Sequence, residues 1–319
     1  MKYELRHLPD LQGQKVFVTG ASGNLGAAVA AIFMLRGARV VLHASSAASA
    51  QKVRVGVCAA CEKYGAAAGA VGERCAAARG AADVPQSGSG CVRAVAAGEV
   101  ADQPQSGIGC LDDLPENVAA GRGLEDPPII VADFAKPELI AAVVQSAACE
   151  LGAITGIVNC VGWQAVHEYN ELDSAVWRQM FDINVTAAHE LTRAAARLMT
   201  PGGWLTHIAS IDGLRPAVGH AHYASSKAAL IMQARAAALE LGGRRIRVNT
   251  VSPGLISREG IAEQWPSGVA SWQRHAPLGR LVEASDVAAA CVMLASCAAG
   301  AITGQNIVVD CGMSATPGW

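Results

Sequence analysis

The chain has 319 residues, of which 51% are hydrophobic and 16% are charged, so it has ample apolar material for a buried core. Its net charge of −2 and its pI of about 6.4 argue against a nucleic-acid-binding protein that relies on bulk positive charge. The sequence has no unbroken apolar run of 18 residues and no apolar stretch within residues 1–10, so we expect no membrane span and no secretory signal. Ten cysteines without an export signal then indicate reduced thiols in a cytoplasmic protein.

Strand and helix signals alternate along most of the chain. Strands are predicted at residues 15–19, 39–43, 129–132, 155–159, 203–208, 245–250 and 306–310. Helices are predicted at 24–36, 137–151, 174–199, 222–241 and 285–296, the last with Ser285 as its N-cap. This alternation predicts an α/β fold in which a doubly wound parallel sheet carries helices on both faces. Ligands of such sheets bind beyond the C-terminal ends of the strands.

Residues 47–128 differ from the rest of the chain. They hold 20 Ala and 12 Gly but only one aromatic residue, Tyr64. Asp83 to Cys91 returns in similar form 19 residues later, as Asp102 to Cys110. Because large apolar side chains are scarce, little burial is available to offset the entropy of ordering the segment. We therefore predict one domain over residues 1–319 with a flexible insertion at 47–128.

A glycine-containing turn follows the first predicted strand and opens the first helix. Its candidate binding residues are Gly20, Ser22, Asn24, Leu25 and Gly26. Glycines permit a tight turn and a close backbone approach, while free N–H groups at a helix start attract a pyrophosphate. The turn therefore predicts a dinucleotide site, and the alternative is an ordinary glycine-rich loop.

The end of the second strand bears on the choice of dinucleotide. An acidic residue there would hydrogen-bond the adenosine ribose and repel a 2′-phosphate, but the sequence has Ser45 and Ser46 instead. These serines favour NADP(H), with NAD(H) as the alternative, and they could also simply begin a loop.

Tyr223 and Lys227 are four residues apart on one predicted helix and therefore share a face. A nearby ammonium stabilises a phenolate, which predicts a lowered tyrosine pKa and an acid for a developing alkoxide. Ser210 directly follows the fifth strand's end, where its hydroxyl could hold a carbonyl oxygen. A Tyr-x-x-x-Lys pair alone also occurs on surface helices, but the combination with Ser210 and the glycine turn points to chemistry.

These residues resemble the short-chain dehydrogenase/reductase family, in its single-domain branch, and most closely its 3-oxoacyl-(acyl carrier protein) reductases. The resemblance runs from about Lys15 to Gly312, outside the insertion. The motifs that carry it are Thr19 to Gly26, Asn159-Cys160-Val161-Gly162, Ile183-Asn184-Val185, Ser210, Tyr223, Lys227, Val251-Ser252-Pro253-Gly254, Pro277-Leu278-Gly279-Arg280, Ile302-Thr303-Gly304-Gln305 and Asp310-Cys311-Gly312.

The resemblance implies a Rossmann-type fold and a catalytic tetrad of Asn184, Ser210, Tyr223 and Lys227. Tyr223 would transfer the proton, Lys227 would lower its pKa and hold the nicotinamide ribose, Ser210 would orient the substrate oxygen, and Asn184 would hold a water next to Lys227. Further cofactor contacts implied by the motifs are Asp133, Phe134, Asn159, Val161, Gly162, Pro253, Gly254 and Ile256.

Three positions depart from the family pattern. Asn24 stands where the family has its second glycine, Cys160 replaces an asparagine, and Ser257 stands where the family often has threonine. Asparagine tolerates left-handed backbone better than most residues, so the turn can survive. None of the three changes removes a catalytic group.

Other candidate groups have alternative interpretations. Cys58 and Cys61 could form half of a zinc site with Cys75, Cys91 and Cys110, but no second close pair follows, so we expect incidental thiols and no metal. His220 and His222 precede Tyr223 and either line the substrate entrance or belong to a loop. Trp163, Trp265 and Trp272 either line the substrate site or pack in the core.

The sequence thus predicts an NADP(H)-dependent oxidoreductase that interconverts a ketone and a secondary alcohol. A 3-oxoacyl reductase is the first expectation, and a sugar or polyol dehydrogenase is the related alternative. A non-catalytic dinucleotide sensor is a different class, disfavoured because both Tyr223 and Lys227 are present. The expected partner is a small carbonyl or alcohol substrate, with no nucleic acid and no membrane, and the family suggests a homotetramer or homodimer.

Overall fold

The computed structural model describes residues 7–65, 92–94, 126–199 and 202–316. The strands within these residues are β1 (Lys15–Thr19), β2 (Arg39–Ala44), β3 (Val92–Ala94), β4 (Ile129–Val131), β5 (Gly156–Asn159), β6 (Gly203–Ile208), β7 (Ile246–Pro253) and β8 (Asn306–Val309). They form one parallel sheet in the order β3-β4-β2-β1-β5-β6-β7-β8. The predicted Rossmann-type doubly wound sheet is therefore confirmed.

The helices of the described residues cover both faces of this sheet. They are α1 (Asn24–Leu35), α2 (Ala47–Gly65), α3 (Ile140–Leu151), α4 (Ser174–Phe181), α5 (Ala187–Leu198), α6 (Ala221–Leu241), α7 (Ile261–Gln264), α8 (Pro266–His275) and α9 (Ala284–Ala295). Among them no helix is both long and apolar enough to cross a bilayer.

Alternation along β1 builds the two cores. Val16 and Val18 belong to the core that contains residues of α1, α2 and α9, whereas Phe17 belongs to the core that contains residues of α3 and α5. Successive side chains of a strand point to opposite faces of the sheet. A strand that is covered on both faces must therefore be apolar in its central part, as Val16, Phe17 and Val18 are.

The order of the strands reverses at β1, which pairs with β2 on one side and with β5 on the other. Thr19 and Asn159 are register partners at the C-terminal ends of β1 and β5. In open α/β sheets the crevice at such a switch point is the usual ligand site. The fold therefore places the glycine turn and the end of β5 at one crevice.

The predicted start of the insertion at residue 47 is wrong. Residues 47–65 form helix α2, and its Val53, Val57 and Tyr64 are buried in the core that contains α1. Alanine favours helix, and a few well-spaced large side chains are enough to pack the helix against α1. Apart from β3, which pairs with β4, the remainder of the predicted insertion up to residue 125, including Cys75, Cys91, Cys110 and the repeat, lies outside the described residues.

Two helix predictions also change. The predicted helix at 174–199 is two helices joined by a π-helical turn at Asp182–Thr186. The last helix begins one residue earlier than predicted, and Glu283 rather than Ser285 is its N-cap, because Glu283 and Asp286 form a reciprocal capping box.

Candidate active site

The turn after β1 has space only for glycine at two positions. Gly20 has φ +68°, and a Cβ added there would lie 2.7 Å from the carbonyl carbon of Cys160. A Cβ at Gly26 would collide with the carbonyl of Gly20 and lie 2.8 Å from the Cα of Ala21. Gly23, the N-cap of α1, supplies no side-chain cap. The turn therefore presents backbone at close range and free N–H groups at a helix start, which fits a dinucleotide pyrophosphate.

A buried histidine that the sequence analysis did not single out supports this turn. The N–H of Gly20 donates to His43 Nδ1 over 3.2 Å, and His43 Nε2 donates to the carbonyl of Ala132 over 2.9 Å. Burial lowers the pKa of His43 to about 4, so the ring is neutral at pH 7, and its two partners place the proton on Nε2. The imidazole thus joins the glycine turn after β1 to the residue that follows β4. In the sequence, the only sign of this role is that His43 is a polar residue among the apolar residues of β2.

The predicted adenosine-side residues lie around the ends of β2 and β4. Ser45 and Ser46 are exposed just before α2, and they share a hydrogen-bonded cluster with Ser49, which the sequence analysis missed. Asp133 is exposed, with its Oδ1 accepting from the N–H of Ala135. Phe134 is buried, and its ring lies against His43 with 4.0 Å between centroids. It therefore packs against the histidine that supports the glycine turn.

Asn159 organises the end of β5 through a buried hydrogen-bond chain. Its Oδ1 accepts from Thr19 Oγ1 over 2.7 Å and from the N–H of Val161 over 3.2 Å. Its Nδ2 donates to His207 Nδ1 over 3.1 Å, and His207 Nε2 donates to Thr192 Oγ1 over 3.0 Å. Burial lowers the pKa of His207 to about 4, which keeps the ring neutral. The chain therefore locks β1, β5, β6 and α5 together beneath the crevice.

Ser210, Tyr223 and Lys227 converge at the end of β6. Ser210 Oγ accepts from the N–H of Asp212 over 3.1 Å, and its side chain interacts with the Tyr223 hydroxyl and lowers the pKa of that group. Lys227 Nζ donates to the carbonyl of Ile208 over 2.8 Å and lies 5.7 Å from the centre of the Tyr223 ring. Tyr223 and Lys227 are both buried. The structure therefore brings together the three groups that the sequence predicted to meet.

The predicted lowering of the tyrosine pKa is wrong for this structure. Burial raises the pKa of Tyr223 to about 12, the hydrogen bond from Ser210 opposes that rise, and the charge of Asp212 adds to it. Burial also lowers the pKa of Lys227 to about 8. Desolvation penalises the charged form of either group, so it raises the pKa of the tyrosine and lowers the pKa of the lysine. The phenol is consequently fully protonated at neutral pH.

Asn184 lies in the π-helical turn between α4 and α5. Its Oδ1 accepts from the N–H of Trp163 over 2.7 Å, and its Nδ2 donates to the carbonyl of Trp163 and to Ser226 Oγ, each over 2.9 Å. Ser226 Oγ in turn donates to the carbonyl of Tyr223 over 2.7 Å. Asn184 thus links the segment after β5 to α6, the helix that carries Tyr223 and Lys227. Inserted π turns are frequent at functional sites.

Gly162, shortly after β5, lies next to the side chains of Lys227 and Asn184. A Cβ added there would lie 3.1 Å from Lys227 Nζ and 3.6 Å from Asn184 Oδ1. Any larger residue would therefore press on the lysine. The role of Asn184 in holding a water next to Lys227 stays a prediction.

The opposite wall of the crevice follows β7. A Cβ at Gly254 would lie 2.5 Å from Trp272 Cη2, so this glycine, which follows Pro253, is required by packing. Ile256 forms a bridge with Val282. Trp272 thereby packs against the site wall, whereas Trp265 is 54% exposed.

The two histidines before Tyr223 have different surroundings. His220 Nδ1 lies 2.6 Å from Asp212 Oδ2. His222 is fully buried, with His167 and Trp163 against its ring at centroid distances of 5.2 and 6.5 Å, and neither of its ring nitrogens has a hydrogen-bond partner. His220 lies beside Tyr223, with 5.9 Å between the ring centroids, and a place for either histidine at the substrate entrance stays a prediction.

The cysteines form no metal site in the part of the chain that the structure describes, where no group of three potential ligands occurs. Cys58 and Cys61 lie on α2, with Cys61 buried in the core beside α1. Burial raises the pKa of Cys160 to about 12, with the charge of Lys227 opposing. Cys160 therefore remains a thiol at neutral pH.

The fold and these side chains define the class of Rossmann-fold oxidoreductases with a serine, tyrosine and lysine at the end of the central strands. A family model described as enoyl-(acyl carrier protein) reductase matches residues 111–314. The chain is 34% identical over 190 residues to galactitol 2-dehydrogenase (L-tagatose-forming) of Cereibacter sphaeroides, covering 57% of this chain and 74% of the relative. It is 31% identical over 189 residues to 3-oxoacyl-(acyl carrier protein) reductase FabG of Chlamydia muridarum, covering 58% and 75%.

Solved structures show the same fold. A short-chain type dehydrogenase/reductase from Mycobacterium ulcerans superposes with a TM-score of 0.71 at 25% identity, covering 97% of this chain and 92% of that one. A structure from Beutenbergia cavernae that holds NADP at low occupancy superposes with a TM-score of 0.70 at 24% identity, covering 96% and 99%. The chain belongs to the short-chain dehydrogenase/reductase family of oxidoreductases and is similar to FabG.

Proposed function

We propose that this protein is an NADP(H)-dependent oxidoreductase that interconverts a ketone and a secondary alcohol. The observation that carries the proposal is that Ser210 and Tyr223 interact at the end of β6, with Lys227 buried beside them. These groups lie next to the crevice where β1 and β5 diverge. A carbonyl placed there would meet a proton donor and a second hydroxyl together.

The residues divide the work in the direction of reduction. The Tyr223 hydroxyl, which is protonated at neutral pH because burial raises its pKa, donates its proton to the substrate oxygen as negative charge develops on it. Ser210 donates a hydrogen bond to the same oxygen and orients the carbonyl. The nicotinamide, when bound, would supply or accept the hydride at its C4.

Lys227 keeps one of the two roles that the resemblance implies, which is to hold the nicotinamide ribose. Its ammonium is held by the carbonyl of Ile208 and sits beside Gly162, where the nicotinamide ribose hydroxyls would need donors. In the direction of oxidation Tyr223 must accept a proton, and the neighbouring positive charge then favours the phenolate. Asn184 keeps the segment after β5 against α6, which preserves this arrangement.

The residues present fit a phosphorylated dinucleotide. Gly20 and Gly26 form a cradle that any Cβ would fill, and the first turn of α1 offers free N–H groups. Ser45, Ser46 and Ser49 form a hydroxyl cluster at the start of α2, which supports NADP(H) over NAD(H) because hydroxyls can donate to a 2′-phosphate. The other proposed contacts are Ser22, Asn24, Leu25, Asp133, Phe134, Asn159, Val161, Gly162, Pro253, Gly254 and Ile256.

Two substrate classes have support from relatives of similar identity. FabG is named as a 3-oxoacyl reductase and the Cereibacter relative as a galactitol 2-dehydrogenase. We propose 3-oxoacyl reduction first and a sugar or polyol substrate second. We further propose a cytoplasmic homotetramer or homodimer whose chain forms one domain.

The function is tested by a screen of ketones, including 3-oxoacyl thioesters and ketoses, with NADPH and NADH followed by absorbance. We expect turnover with NADPH at a higher kcat/KM than with NADH. Tyr223→Phe should lower kcat by about 10²–10⁴-fold, since it removes the acid, while the dissociation constant of NADPH stays within about twofold. Full activity of Tyr223→Phe would contradict the assigned acid.

A cofactor-binding protein without turnover is the competing hypothesis. It predicts NADPH binding but no oxidation of NADPH with any ketone in the screen. A higher kcat/KM for NADH would instead overturn only the preference for NADP(H).

A further inference from the structure

One long-range hydrogen bond crosses the cofactor crevice. Asn24 Nδ2 donates to the carbonyl of Ser257 over 3.1 Å, although the two residues are 233 positions apart. Asn24 is the first residue of α1 and is exposed, and Ser257 follows the end of β7. The bond therefore joins the phosphate-binding turn to the opposite wall directly.

The wall on which the bond ends is itself anchored. The N–H of Ser257 donates to the carbonyl of Val282 over 2.7 Å, and the N–H of Val282 donates to the carbonyl of Leu255 over 3.0 Å. These bonds close the base of the segment 255–282, which carries α7 and α8. Ile261, Val269 and Leu281 pack together as a separate small core of this segment. A bond to Ser257 therefore holds the whole segment against α1.

Asn24 is also the residue that departs from the family's glycine turn. A glycine at this position could not make the bond, because the bond comes from the side chain. The side-chain amide thus adds a contact across the crevice that the backbone turn alone does not provide. Because Asn24 occupies the first turn of α1, its side chain lies where a bound pyrophosphate is expected.

We propose that Asn24 is a clamp across the cofactor crevice, which must open for the dinucleotide to enter or leave. This inference rests on the proposed function, since it presupposes that the crevice binds NADP(H). The clamp is one neutral hydrogen bond at an exposed site, so it adds a modest barrier that slows entry and release by the same factor. Its main consequence is a longer residence time of the dinucleotide, because opening limits both entry and release.

The test measures the association and dissociation rates of NADPH by stopped-flow fluorescence in the intact protein. In Asn24→Gly we expect both rates to rise about three- to tenfold. The dissociation constant should change by less than about twofold, because glycine keeps the backbone N–H through which this position would contact the dinucleotide. Asn170→Gly, in which an exposed asparagine of the short helical turn Tyr169–Glu171 is replaced, is the matched control and should change neither rate. A residue with a purely structural role would not raise both rates together.

Asn24→Asp probes the position of the side chain. It removes the donor and places a carboxylate at the phosphate-binding turn, so we expect the dissociation constant of NADPH to rise at least about fivefold, with a smaller rise at high salt. Unchanged rates in Asn24→Gly, or an Asn24→Asp variant that binds as tightly as Asn24→Gly, would overturn the clamp. Failure of the unaltered protein to bind NADPH or NADH would instead overturn the proposed function.

Discussion

Two buried histidines illustrate how much the partners of a polar group matter. His207 receives a hydrogen bond from Asn159 and donates one to Thr192. His222 is equally buried, but neither of its nitrogens has a hydrogen-bond partner. A buried group without partners loses its hydration without compensation, so removing it relieves a cost, whereas removing a paired group leaves its partners unpaired.

We expect His207→Leu and His222→Leu to change the free energy of unfolding differently. His207→Leu should lower it by about 1–3 kcal/mol, because the Asn159 amide loses its acceptor. His222→Leu should leave it unchanged or raise it. Urea unfolding followed by circular dichroism measures both, and equal losses in the two variants would contradict the contrast.

At the level of elements, the site depends on how the turn after β6 meets helix α6. This turn, Ile211–Gly213, follows Ser210, and the N–H of Gly213 donates to the Ser210 carbonyl over 3.1 Å. A Cβ at Gly213 would lie 2.8 Å from the carbonyl carbon of Lys227. The turn and α6 are therefore in direct backbone contact, and we infer that this contact sets the distance between Ser210 and Tyr223.

Gly213→Ala should move the turn away from α6 and lower kcat/KM by about 10²-fold, because a displacement of about 1 Å at a catalytic group has that effect. Gly243→Ala is the matched control, since a Cβ there meets no atom within 4 Å. Steady-state kinetics of both variants, with thermal melts to confirm folding, make the comparison. An active Gly213→Ala enzyme would show that the turn tolerates displacement.

At the scale of the whole molecule, the neutral buried imidazoles of His43 and His207 make the free energy of unfolding depend on pH. Burial lowers the pKa values of both His43 and His207 to about 4 from 6.5. Between pH 6.5 and pH 4 the unfolded chain binds protons that the folded protein does not, so acidification favours unfolding in this window. Each histidine contributes up to about 3 kcal/mol to this loss, and below pH 4 the contribution levels off.

The free energy of unfolding should therefore fall as the pH decreases from 6.5 to 4, and the fall should be smaller in His207→Leu. Urea titrations at several pH values measure it. Because carboxylates also titrate in this range, the informative quantity is the difference between the original protein and His207→Leu. A difference that stays constant from pH 6.5 to pH 4 would contradict the buried neutral state of His207.

The amino-acid sequence alone predicted the features that depend on residues close to each other along the chain. The glycine turn, the four-residue spacing of Tyr223 and Lys227, and the alternation of strands and helices all follow from local periodicity and backbone freedom. They are enough to predict the fold and the convergence of the three groups.

Other features required the folded chain, because they join residues that are far apart or depend on burial. The bond between Asn24 and Ser257 spans 233 positions, and His43 meets Ala132 across 89. No local pattern revealed that α2 packs on α1, since its few large side chains are spaced among alanines. The protonated state of Tyr223 likewise arises from desolvation within the assembled core, which the spacing of residues in the sequence does not reveal.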